Sequence, residues 1–181
     1  MNFRLYLMKL FLPVNLKKEK LHELFGVTAA AFQTTPPVVE GLRFNDLLQE
    51  YATFTRAAAM QQIIKGEDVS LVMQRLYDGA YRIGEELREE MRIRSRKDAM
   101  KAARLLYRAM GIDFHCSGSG EVGIARCYFS TFYPPEVCWI ISSLDEGIIA
   151  GLTDGGRLWF VSRITEGNNS CVGQIEFLKN P

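Results

Sequence analysis

Cys127, Cys138, Asp145, Arg163 and Cys171 fall within the last third of this 181-residue chain. They are spread over segments that read as two strands and a short helix. Residues of these types can do chemistry together only if that unit closes into one site. Cys138 sits in the first turn of the expected helix, where the local dipole lowers a thiol pKa and favours the thiolate. Asp145 lies two turns further along the same face, placed to act as a general acid or base. Arg163 offers a planar fork that holds a carboxylate in two hydrogen bonds. Three thiolates with one oxygen or nitrogen would also satisfy tetrahedral zinc. The competing reading is three buried cysteines acting as small apolar residues. Tyr107, Phe129, Phe132 and Trp159 are the aromatic residues expected to line an apolar pocket beside them.

Other chemistry is excluded more easily. His22 and His115 are the only histidines, so no H-E-x-x-H site is possible. His115 is read as a packed, satisfied side chain. Gly118-Ser119-Gly120-Glu121-Val122-Gly123 matches a dinucleotide fingerprint in letters. That motif needs a helix after it, so that pyrophosphate meets free amide groups. Here Ile-Ala-Arg-Cys-Tyr-Phe follows, which is strand-like, so the segment reads as a hairpin turn. The basic stretch from Arg82 to Arg108 is interleaved with acids. It reads as a solvated helix face with i,i+4 pairs rather than a nucleic-acid footprint.

Several elements must position these residues. Phe3, Leu7, Leu10 and Phe11 predict a short amphipathic helix ended by Pro13. Leu47, Tyr51, Phe54 and Ala58 mark one stripe of a helix over 45–65, stopped by Gly66. Val72, Leu76, Ala80, Ile83, Leu87 and Met91 mark a second. Gly79 and Gly84 lie inside that helix, where glycine allows another backbone or a ligand to come close. Ser95 with Asp98 predicts the start of a third helix, and Gly111 its end. Beyond Gly111 the period changes to that of strands, over 112–116 and 122–127. Pro134-Pro135 opens the short helix that carries Cys138 and Asp145. Asp154-Gly155-Gly156 predicts a hairpin between strands over 148–152 and 158–161. A last strand over 171–177 follows the turn at Glu166-Gly167-Asn168-Asn169. Helices first and strands last predict an α+β fold, with N-terminal helices packed on a C-terminal antiparallel sheet that carries one inserted helix. Residues 1–40 read as an N-terminal extension and 41–181 as the folded domain.

Composition agrees with a globular protein, since 48% of residues are hydrophobic. A net charge of +1 gives no general attraction to nucleic acid or anionic membrane. The apolar run near the start, interrupted by Lys9, is too short to span a bilayer, and no small-residue cleavage motif follows it. Four cysteines with no C-x-x-C pair predict reduced thiols and a cytoplasmic location.

The order Tyr77-Asp78-Gly79-Ala80-Tyr81-Arg82-Ile83-Gly84, Arg104 to Gly111, Arg126-Cys127, Cys138, Asp145 with Gly147, and Arg163 to Cys171 resembles the 4-vinyl-reductase-like small-molecule-binding superfamily. Within it, the chain most resembles the L-2-amino-thiazoline-4-carboxylic acid hydrolase-like proteins. The resemblance covers a little over half the chain. It implies an α+β domain around a pocket for a hydrophobic or heterocyclic molecule, often as a homodimer, while the near-neutral charge gives no expectation of a nucleic-acid or membrane partner. Some members bind zinc through a Glu-x-x-Cys plus Cys pattern before the final strand. At that place this chain reads Phe160-Val161-Ser162-Arg163, leaving only Cys138 and Cys171 in the metal set.

Two functions are thus expected. In the first, Cys138 or Cys127 attacks a thiazoline ring carbon or positions water, Asp145 moves the proton, and Arg163, Tyr107 and Trp159 hold the substrate. In the second, the domain binds or senses a hydrocarbon or heterocycle without catalysis, with or without zinc. An assembly subunit with purely structural cysteines is the third reading.

Overall fold

The structure, a computed structural model, describes residues 14–178. The helix expected over Phe3 to Phe11 lies outside them. Among the described residues, five α-helices and four strands follow one another: α1 Val14–Ala31, α2 Phe44–Lys65, α3 Ser70–Glu90, α4 Arg96–Ala109, β1 Ile112–Cys116, β2 Glu121–Cys127, α5 Pro135–Leu152, β3 Arg157–Ser162 and β4 Cys171–Glu176. Single 3-10 turns occupy Tyr128–Thr131 and Ile164–Glu166. The fold is α+β: helices dominate the first part and an antiparallel sheet, in the order β1-β2-β4-β3, closes the second.

Local chemistry sets the helix ends where the sequence placed them. Gly66 adopts φ 65° and closes α2. Ser95 Oγ accepts from the Asp98 amide and opens α4. Pro135 supplies the first turn of α5. Gly118 to Gly120 form the β1–β2 connection and Glu121 to Gly123 open β2, with the Ser117 amide donating to the Glu121 carbonyl at 2.9 Å, so the segment offers no helix start to a pyrophosphate.

The largest departure concerns residues 148–152, expected as a strand. They are the last turn and a half of α5, which is 18 residues long. Asp154 and Gly155, at φ 59° and 99°, turn the chain from that helix into β3 rather than closing a hairpin. The reason is packing. Val137, Ile140, Leu144, Ile148, Ile149 and Leu152 are buried on several sides of α5, as in a helix that runs through a core. Gly147 and Gly151 let α3 lie against it backbone to backbone. A Cβ on Gly151 would run into the Tyr81 carbonyl, and one on Gly84 into the Ile148 carbonyl. Gly79 meets Val27 of α1 instead. The two α3 glycines therefore serve helix packing rather than lining a pocket.

Helix α1 was not legible in the sequence. Leu21, Leu24 and Phe25 bury one stripe of it in the common core, but Lys20 and Thr28 are buried on the same side and blur the pattern. Lys20 is held there by Glu23 at 2.9 Å. Among the described residues no helix is long and apolar enough to cross a membrane.

Candidate functional site

A buried helix such as α5 has little place for charge, yet it carries Asp145 and Glu146 in succession. Asp145 lines a cavity with about 100 Å³ of space open to the centre of a water-sized sphere. That is room for several waters or one ring-sized molecule. The wall draws on α1, α2, α4, α5, the end of β2 and the turn after it. Most of it is apolar, including Leu24, Leu106, Ile141 and Ile148. Asp145 keeps part of its surface open, and that surface belongs to the cavity.

Burial raises the Asp145 carboxyl to about 6, and neighbouring Glu146 adds to the rise, while Tyr107 and Arg163 pull it down. The carboxyl is therefore close to half-protonated a little below neutral pH.

Three tyrosines share the cavity, and their hydroxyls differ. Tyr51 hydroxyl is paired with Thr28 Oγ1 at 3.1 Å. Thr55 Oγ1 donates to the Tyr51 carbonyl at 2.8 Å. The Tyr133 hydroxyl is paired with the Thr55 hydroxyl. Tyr107 stacks on Phe114 with ring centroids 4.7 Å apart. Its hydroxyl is buried and has no partner in hydrogen-bonding geometry. It approaches Asp145 closely enough to shift that carboxyl, but loosely, short of a made bond.

The structure brings Cys127, Cys138, Asp145 and Tyr107 together in this wall. The thiols are not thiolates. Burial pushes Cys127 up to about 12 and also raises Cys138 and Cys171. The expected lowering of Cys138 at the helix start fails because burial outweighs the Thr165 hydrogen bond and the Arg163 charge that favour the thiolate. Cys171 lies beyond the cavity wall, where its sulfur accepts from the Ile164 amide at 3.4 Å. Among the described residues, no three His, Cys, Asp or Glu side chains converge as a metal ion requires.

Arg163 stands behind the wall. Its guanidinium donates to Ser142 Oγ at 3.3 Å, pairs with Glu166 at 3.6 Å and lies over the Phe160 ring. It reaches the cavity through Ser142, which is part of the lining. Trp159 is elsewhere: 43% exposed, it borders an open groove with Trp139, Tyr77, Glu146 and Arg157. His115, expected to be packed, is exposed on β1 and paired with Asp113 at 3.1 Å.

Sequence reasoning missed the contribution of the first half of the chain. Leu24, Tyr51 and Ser142 gave no chemical signal. Only the helical stripe containing Tyr51 hinted that it faces inward.

Among solved structures, one described as a vinyl-4-reductase family protein from Methanocaldococcus jannaschii is similar to this chain. The TM-score is 0.42 and the identity 12%, over 90% of this chain and 94% of that one. No family model matches the chain, and no curated protein does.

Proposed function

We propose that this protein is a small-molecule-binding domain whose ligand occupies the cavity around Asp145. The observation that carries this reading is the contrast within one recess: among the described residues, an apolar wall with a single carboxyl and, beside it, a tyrosine hydroxyl outside made hydrogen-bond geometry. Such a wall with a few convergent polar groups is the usual make-up of a ligand site. The sequence resemblance to 4-vinyl-reductase-like proteins points the same way. Binding of ring-sized fragments, followed by ligand-observed NMR, tests it. Wild type should bind. Cys127→Phe, which fills the space, should abolish binding while keeping the dispersed spectrum of a folded protein. Equal binding by both would remove the cavity from the reading.

The hydrolytic reading rests on Asp145 alone. A carboxyl near 6 is suited to exchange a proton at neutral pH. Nucleophilic attack by Cys127 or Cys138 has less support, because both thiols are held protonated and no histidine among the described residues lines the cavity. In this version Asp145 activates water against a bound heterocycle. Ring opening of a thiazoline carboxylate, absent in Asp145→Asn, is its test.

A further inference from the structure

The charge inside the cavity has one sign. Among the described residues, Asp145 is the only ionisable group in the lining that is anionic near neutral pH, and no lysine, arginine or histidine lines that space. Arg163, the cation acting on Asp145, has its guanidinium engaged with Ser142 and Glu166 outside the wall. A carboxylate enclosed by apolar side chains is destabilised until a cation joins it.

The rest of the wall suits a cation on an apolar body. Tyr51, Tyr107, Phe129 and Tyr133 all line the space. The Tyr51 and Tyr133 hydroxyls are tied to Thr28 and Thr55, so these residues offer the cavity ring surface rather than polar atoms. Phe129 lies between them, its centroid 6.0 Å from Tyr51 and 5.6 Å from Tyr133. Aromatic rings around a cation attract it through their negative faces. An ammonium has protons to donate, and two acceptors are at hand, the Asp145 carboxylate and the Tyr107 hydroxyl oxygen, while Ser142 Oγ is already engaged with the Trp139 carbonyl and Arg163.

We infer that the cavity selects a small primary amine carried on a compact apolar or aromatic body, with Asp145 as the counter-ion. This rests on the proposed ligand-binding role and names the class of its ligand. The amine seeks the carboxylate form of Asp145. The groups that bear on that carboxyl are Tyr107 from α4, Glu146 and Cys138 from α5, Tyr51 from α2, Cys127 from β2, Cys171 from β4 and Arg163 from the loop after β3. Amine affinity should fall as pH drops through the Asp145 transition, whereas a neutral ligand should be indifferent to it.

Benzylamine and benzyl alcohol form the test pair, equal in size and differing in charge. Their affinities are measured by titration calorimetry on the full chain, at about pH 8 and about pH 5, on either side of the Asp145 transition. The expected result is an amine preference of about tenfold or more at the higher pH. That preference should shrink at the lower pH and vanish in Asp145→Asn, with benzyl alcohol unchanged throughout. Equal affinity for the two at the higher pH overturns the amine inference and leaves the cavity as a neutral-ligand site. Binding of neither overturns the ligand-binding reading itself. The pH comparison uses wild type only, so it decides the matter even if Asp145→Asn fails to fold.

Discussion

Tyr107 places a buried hydroxyl beside Asp145, near enough to pull that carboxyl down yet outside made hydrogen-bond geometry, and Asp145 is the one carboxyl among the described residues that line an apolar cavity. Each group is unfavourable where it stands. A buried hydroxyl in a loose contact gains only part of what a made hydrogen bond returns, and an enclosed carboxylate is costly unless it is paired. Two such groups side by side are unusual in a core built only for stability, and they are natural in a site that a polar ligand completes.

Asp145 should make the protein less stable at neutral pH than in mild acid. Its folded-state pKa of about 6 lies above the ordinary value of 3.8. Between these values the folded state binds more protons than the unfolded one, so stability falls as pH rises through them. The full penalty, present above the folded pKa, is about 3 kcal/mol. Asp145→Asn should therefore melt several degrees higher than wild type at about pH 7.5, with the gap closing toward about pH 4. Thermal unfolding of both proteins across that range checks it. A constant gap would mean that Asp145 does not titrate in the fold.

Arg163 lowers the Asp145 carboxyl from behind the wall. Arg163→Met should raise the Asp145 transition above about 6. Carbon-13 NMR of the carboxyl during a pH titration reads this directly. An unmoved transition would show that solvent screens the guanidinium from the site.

Gly151 and Gly26 should respond to alanine in opposite directions. A Cβ at Gly151 collides with the α3 backbone, whereas Gly26 is exposed on α1 with open space around it. Gly151→Ala should destabilise by about 1–3 kcal/mol or more through overpacking. Gly26→Ala should stabilise by about 1 kcal/mol through helix propensity. Urea unfolding monitored by circular dichroism measures both.

The four cysteines are free, and burial raises each thiol. Alkylation by iodoacetamide at about pH 7.5 should run slower at Cys127 than at an unhindered thiol with pKa about 8.5. Peptide mass spectrometry over time would follow each site. Fast, selective labelling of Cys127 or Cys138 would revive the nucleophile reading.

Much of this arrangement was legible in the sequence, and the reasons for the failures are physical. Helix ends were readable because Gly66, Ser95 and Pro135 act through local backbone chemistry. The antiparallel sheet was readable because the period changes after Gly111. The end of α5 was misread because Asp154-Gly155-Gly156 is turn-forming after a helix as well as between strands. Residue type and spacing pointed to Cys127, Cys138, Asp145 and Tyr107, which share one wall, yet their protonation depends on enclosure, which spacing does not encode. Trp159 was assigned to the pocket by residue type alone. Its place on β3 points it into the open groove instead.

The central claim is that a small molecule binds inside the cavity and not on the open groove. Intermolecular nuclear Overhauser effects from a bound benzylamine or benzyl alcohol decide this most directly. Contacts from the ligand ring protons to the rings of Tyr107, Phe129 and Tyr133 are the result expected here. Contacts confined to Trp139, Trp159 and Tyr77 would contradict it and move the binding site to the groove.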